Sequence, residues 1–108
     1  MKYIVNAAWR HEKPIDVERM RDYMMLVRDT FESDDHVIET IWYQIDEYTH
    51  GSVAVYKSQE DYHAFVEKNK MQRDFALNEL RVSMLGESKG PAFAVGSDLP
   101  NERTELRR

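Results

Sequence analysis

The chain begins with a short apolar segment whose residue types predict a β-strand over Lys2 to Trp9. Side chains alternate along a strand, so its two faces carry separate sets of residues. One face holds Tyr3, Val5, Ala7 and Trp9, and the other holds Ile4, Asn6 and Ala8. Both sets are largely apolar, which predicts that both faces of the strand are covered.

Apolar residues then recur every three or four positions, which predicts a long helix from an N-cap at Asp16 to about Glu32. β-branched and aromatic residues predict a second strand over His36 to Ile45. A polar turn separates it from a third strand over Ser52 to Tyr56, and we expect these two strands to pair as a hairpin.

The third strand leads directly into a second helical region. Ser58 is placed as its N-cap, and Asp61 lies three positions later, in capping-box register. The region extends to about Leu85, with a break near Asn69 where the apolar positions change phase. A glycine-containing loop follows, and then a short last strand over Ala92 to Val95.

The predicted order is β-α-β-β-α-β, the ferredoxin-like α+β arrangement in which helices cover one face of an antiparallel sheet. We expect one domain over residues 1–96 and a polar, aperiodic tail over 97–108. The face with Tyr3 and Trp9 is predicted to lie away from the helices and to pair with a second copy as a homodimer, because water disfavours such an apolar face. Asn6 is then predicted to face the helices.

The composition restricts the classes of function. The chain has 108 residues and a net charge of −5, which argues against binding to nucleic acid or to an anionic membrane surface. It has no cysteine, which excludes thiol chemistry and suits the reducing cytoplasm, where we expect the protein. The four histidines lack the spacing of a metal site, so we expect no metal centre.

The junction from Val53 to Val66 resembles the dimeric α+β barrel superfamily, and within it the antibiotic biosynthesis monooxygenase family and its haem-degrading relatives. A strand ends there in an aromatic residue, followed by Lys57-Ser58, acidic residues and a broken helix. The resemblance covers roughly residues 1–96 and rests on the order and spacing of the elements.

The haem-degrading relatives form their site from an asparagine on the first strand, with a tryptophan and a histidine from the second helical region. Asn6 lies near the first of these positions, whereas Phe65 takes the tryptophan position and Phe75 the histidine position. The haem ligand is therefore missing, and we do not expect haem degradation.

The resemblance instead implies a cofactor-independent monooxygenase that acts on a small hydrophobic aromatic compound of the quinol type. On this interpretation Asn6 and Tyr56 orient the substrate, and His63 accepts a proton. Trp42 and Phe65 supply stacking walls, and Met24 belongs to an adaptable methionine lining. No cofactor is expected.

Each of these side chains also has a purely structural interpretation. Asn6 could bond to a neighbouring backbone, Tyr56 could be a core tyrosine with its hydroxyl at the surface, and His63 could lie in solvent. Trp42 and Tyr43 are adjacent and therefore point to opposite faces of the sheet, in an order that the pattern leaves open. The alternative function is a non-catalytic dimeric barrel that binds a small apolar ligand.

Overall fold

The computed structural model describes residues 1–30 and 36–100. The elements, in chain order, are β1 (Tyr3–His11), α1 (Val17–Thr30), β2 (Val37–Gln44), β3 (Thr49–Tyr56), α2 (Gln59–Lys68), α3 (Lys70–Asn78), β4 (Val82–Pro91) and a 3₁₀ turn at Gly96–Asp98. The predicted end of the first helix at Glu32 and the part of the predicted tail beyond residue 100 lie outside the described residues.

The four strands form one antiparallel sheet in the order β2-β3-β1-β4. This confirms the predicted ferredoxin-like α+β arrangement, including the hairpin of the second and third strands. β1 is hydrogen-bonded on both edges, so that Tyr3 pairs with Tyr56 on one side and with Pro91 on the other.

Local side-chain capping begins two of the helices at the predicted positions. The backbone N–H of Arg19 donates to Oδ1 of Asp16 at 3.1 Å. The N–H of Asp61 donates to Oγ of Ser58 at 3.1 Å, and the Ser58 hydroxyl donates in turn to Oδ2 of Asp61 at 2.7 Å. The break at Asn69 is also present, and it divides the second helical region into α2 and α3.

The end of the chain differs from the sequence-based prediction. The helical region ends at Asn78 rather than Leu85, and the last strand is β4 rather than Ala92–Val95. Arg81 adopts a left-handed conformation with φ of 56°, which turns the chain out of the helix. β4 then pairs with the whole of β1, and this long ladder overrides the local turn preference of two glycines.

The predicted orientation of β1 is wrong, because the two faces are exchanged. Tyr3 and Val5 are only 6% and 5% exposed, and they cluster with Tyr56 and Tyr62 beneath the helices. The Tyr62 ring of α2 lies 5.3 Å from that of Tyr3 and 5.2 Å from that of Tyr56. The packing of the large Tyr62 ring decides which face of β1 the helices cover. Both faces of β1 are largely apolar, so the alternation of residue types along the strand could not indicate this choice. Asn6 is therefore exposed on the outer face.

The cap of α2 gives a testable contribution to stability. Replacing Ser58 with alanine removes the acceptor for the Asp61 N–H, and we expect the free energy of unfolding to fall by about 1 kcal/mol. Urea denaturation measures this change. The matched control is Gln59→Ala at the exposed first residue of the helix, and an equal loss in the control would contradict the assignment.

Candidate functional site

A cavity of about 130 Å³ lies between the sheet and the helices. Its walls come from both layers, with Trp9 on β1, Met24 on α1, Trp42 on β2, Tyr56 on β3 and Phe65 on α2. Most of the lining is apolar. An engineered apolar cavity of about 150 Å³ in another protein holds benzene, so this space suits a single aromatic ring.

A second space of about 490 Å³ continues from the cavity beneath α1. The two spaces share Met20, Met24, Trp42 and His50. A ligand larger than one ring therefore has a path along α1, bounded by flexible methionine side chains that can adapt to its shape.

The structure brings together four of the six predicted site residues. Trp42, Phe65, Met24 and Tyr56 all line the cavity. Trp42 thus faces the helices, whereas its neighbour Tyr43 packs across Gly51.

The other two predicted residues do not line this cavity. Asn6 is exposed on the outer face, where it pairs with Val53 of β3 and Ser88 of β4. His63 is exposed on α2, with its ring 5.2 Å from the ring of Tyr62. The catalytic roles of Asn6 and His63 stay predictions, but neither residue lies among the walls that hold Trp42 and Phe65.

Tyr56 is a neutral phenol at the edge of the tyrosine cluster. Burial raises its pKa to about 12, with the charge of Arg73 acting in the opposite direction. Its ring contacts Phe65 at a centroid distance of 5.6 Å. At neutral pH, Tyr56 can therefore donate a hydrogen bond to a ligand but cannot serve as a base.

A buried pair of histidines borders the cavity. Nε2 of His11 and Nδ1 of His50 are 2.7 Å apart, and the two residues are 8% and 7% exposed. The Trp9 ring stacks on His50 at 6.2 Å, and its Nε1 donates to Oγ of Ser52 at 3.0 Å. His50 lines the cavity, whereas His11 lines a separate groove beneath α1.

Burial keeps this histidine pair neutral. It lowers the pKa of His11, and it lowers the pKa of His50 to about 4, with a further contribution from His11. In the neutral pair one ring nitrogen donates and the other accepts, so a proton can pass between the rings. The sequence contained a signal for the burial of His11, because the alternate positions from Tyr3 to Trp9 continue to His11 on the same face of the strand.

The cavity also contains polar groups from α3. Oδ1 of Asn69 is buried and has no hydrogen-bond partner among the described residues. Arg73, one turn later, places its guanidinium carbon 6.0 Å from the Trp9 ring. Glu87 of β4 also lines the cavity, and its Oε1 accepts a hydrogen bond from Nζ of Lys89 at 2.9 Å.

Metal and membrane sites can be assessed for the described part of the chain. Residues 1–30 and 36–100 contain no group of three histidine, aspartate or glutamate side chains able to hold a metal ion. None of the helices within these residues is long and apolar enough to cross a membrane. Phe75, which the resemblance matched to the haem-ligating histidine, stacks on Tyr23 of α1 at 6.0 Å.

The histidine pair predicts a pH dependence of stability. The unfolded chain binds a proton on His50 near the ordinary pKa of 6.5, whereas the folded chain does so only near 4. The unfolded state therefore holds more protons in this window, and stability is full above it and falls as the pH decreases. We expect the free energy of unfolding to fall by about 2 kcal/mol between pH 7 and pH 5.

Urea denaturation at the two pH values measures this loss. His50→Gln should remove most of the pH dependence, and the exposed control His63→Gln should retain it. A pH dependence that is the same in the wild type and in His50→Gln would contradict a neutral buried pair.

Comparisons with known proteins agree with the fold. No protein-family model and no curated protein sequence matches the chain. A dimeric ferredoxin-like protein from an uncultured marine organism superposes with a TM-score of 0.67 at 10% identity, over 87% of this chain and 97% of that one. SnoaB, a cofactor-independent oxygenase from Streptomyces nogalater, has a TM-score of 0.66 at 8% identity, over 87% and 95%.

A candidate antibiotic biosynthesis monooxygenase from Deinococcus radiodurans superposes with a TM-score of 0.65 at 10% identity, over 85% of this chain and 94% of that one. Identities this low establish a shared fold, and a shared fold does not fix the reaction. The resemblance predicted from the sequence is therefore confirmed for the architecture: the chain has the ferredoxin-like fold of these proteins.

Proposed function

We propose that the protein is a cofactor-independent oxygenase that acts on a small hydrophobic dihydroxy-aromatic compound of the quinol type. The observation that carries this proposal is the aromatic-walled cavity of about 130 Å³, which is lined by His50 of the buried His11–His50 pair. It offers a ring-sized apolar space with a proton acceptor at its edge.

The walls have distinct roles in this proposal. Trp42 and Phe65 enclose the substrate ring, and Met24 adapts the opening beneath α1 to different substituents. The neutral phenol of Tyr56 donates a hydrogen bond to a substrate oxygen. These contacts hold the ring and exclude water while molecular oxygen reacts with it.

An oxygenase without a cofactor must draw all its electrons from the substrate. For a simple dihydroxy ring, oxidation to a hydroxyquinone supplies four electrons to O₂. One oxygen atom bonds to a ring carbon, and the other leaves as water with the two hydrogens that the ring loses. The chain's own residues therefore need only bind the ring and move protons.

The histidine pair supplies the proton path in this scheme. With Nδ1 of His50 bonded to His11, Nε2 of His50 is the nitrogen left for the substrate hydroxyl. His50 accepts the substrate proton, and a second proton passes from Nδ1 of His50 to Nε2 of His11. His11 lines the neighbouring groove, which gives the proton a way out.

A second candidate function is a non-catalytic barrel that binds a small apolar ligand. The low pKa of His50 favours this alternative, because a histidine with a pKa of about 4 is a weak base. Turnover separates the two functions, since both require the same cavity to bind an aromatic ring.

Oxygen uptake with a panel of hydroquinones and naphthohydroquinones tests the proposal. We expect uptake above the rate of autoxidation, and a loss of about 10²-fold or more in His50→Gln because proton transfer is impaired. The matched variants Asn6→Ala and His63→Gln, both outside the cavity, test the earlier predictions directly. No uptake with any substrate, or a loss confined to Asn6→Ala and His63→Gln, would contradict the proposal.

We also propose that the protein forms a homodimer through the outer face of the sheet. Ile41 and Tyr43 are 54% and 49% exposed there. Val53 pairs with Ile41, and Val55 pairs with Ile4 of β1, which extends the apolar surface across three strands. A largely apolar face of this kind, interrupted by Asn6 and Glu39, favours a self-complementary contact, and the marine protein in the comparison is described as dimeric.

Light scattering tests the dimer. We expect a mass of twice 12.8 kDa for the wild type, and a shift toward the monomer in Ile41→Glu because the charge would be buried unpaired. Leu77→Glu on α3, a residue that is also about half exposed, is the matched control and should leave the dimer intact. A wild-type mass of one chain at micromolar concentration would refute the proposal.

A further inference from the structure

We infer that α3 recognises an acidic aromatic ligand, with Arg73 pairing to an anionic oxygen and Asn69 accepting a hydrogen bond from a ring hydroxyl. The inference rests on the proposed function for the location of the aromatic ring. It adds the charge of the ligand and the two side chains that select it, which the fold and the aromatic walls leave open.

Asn69 is the first observation. It is the N-cap residue of α3, but its side chain makes no capping hydrogen bond. An asparagine at this position ordinarily accepts a hydrogen bond from the first turn of its own helix. Here Oδ1 is instead buried beside the cavity without a partner among the described residues. A buried acceptor of this kind requires a donor, and a hydroxyl group of a bound ligand can supply one.

Arg73 is the second observation. Its guanidinium lies near the face of Trp9 and lines the cavity, and it forms no ion pair within residues 1–30 and 36–100. Glu87 is the carboxylate on the cavity wall, and Lys89 already contacts it at 2.9 Å. The partly buried cation therefore keeps its charge available to an anion that enters the cavity.

Asn69 and Arg73 are placed so that both side chains can contact the same ligand. Residues four apart on a helix lie on the same face, about 6 Å between Cβ atoms, which is comparable to the width of a substituted aromatic ring. Of the other polar groups that line the cavity, Tyr56 is a neutral phenol and His50 a neutral ring, and the carboxylate of Glu87 is paired with Lys89. A ring with one anionic oxygen and one hydroxyl matches this arrangement, whereas a neutral quinol leaves Arg73 without a counter-charge.

Two probes that differ only in a carboxylate test the inference. The probes are 2,5-dihydroxybenzoate and hydroquinone, each titrated without oxygen, and binding is followed by quenching of tryptophan fluorescence, since Trp9 and Trp42 line the cavity. Anaerobic conditions separate binding from turnover. The variants are Arg73→Gln, Asn69→Ala and the matched control Lys70→Gln, an exposed cation on the same helix that is not among the cavity-lining residues.

We expect the wild type to bind 2,5-dihydroxybenzoate more tightly than hydroquinone. Arg73→Gln should weaken binding of the carboxylate probe about 10-fold or more and change hydroquinone binding by less than about 3-fold. Asn69→Ala should weaken both probes about 5-fold, because both carry a ring hydroxyl. Lys70→Gln should change neither. Urea denaturation confirms that each variant is folded.

Several outcomes would overturn the inference. These are equal losses for the two probes in Arg73→Gln, an equal effect of Lys70→Gln, or no saturable binding of 2,5-dihydroxybenzoate at millimolar concentration. Arg73-dependent binding without any oxygen uptake would uphold this inference and reject the oxygenase. Oxygen uptake with binding unaffected by Arg73→Gln would do the reverse.

Discussion

β1 is hydrogen-bonded to β3 along one edge and to β4 along the other, so the register of this one strand decides which side chains face the helices. A shift of one residue would exchange the two faces. Tyr3 at one end of the strand and His11 at the other lie on the covered face. Trp9 lies between these two residues along the strand and lines the cavity. The tyrosine cluster, the cavity wall and the histidine pair therefore all follow from a single strand.

The packing of the helices on this face is uneven, and the unevenness creates the cavity. Tyr62 anchors α2 firmly on Tyr3 and Tyr56. α1 lies across the far part of the sheet and presents Met20 and Met24 to open space. Protein interiors are ordinarily packed without voids of this size, so unfilled space beside exposed aromatic and methionine side chains is typical of a ligand site.

The polar groups around the cavity differ in how well the chain satisfies them. His11 and His50 satisfy each other, and Trp9 is bonded to Ser52. Asn69 and Arg73 lack such partners in the described part of the chain. In the proposed complex, a ligand in the cavity supplies the missing partners.

Local features of the sequence determined much of the fold. Asp16 and Ser58 cap their helices through side-chain bonds within one turn, and the β2–β3 hairpin joins strands separated by a few polar residues. Such interactions depend on neighbours in the sequence, so pattern and residue type predict them. These local features predicted the order of the elements. That order carried the resemblance that indicated Tyr56 and Phe65 as candidate site residues.

Contacts between distant residues were decided only by the tertiary structure. Residues 82–91 form β4 because they pair with the second edge of β1. Their local sequence instead favoured the end of a helix followed by a glycine-containing turn. Asn6 faced outward because Tyr62 packs on the opposite side of β1. His50 was buried because β3 begins before the predicted turn ends and because the ring of His11, diagonal to it across the ladder, bonds to its ring. In each case the energy comes from a partner many residues away, which local sequence does not reveal.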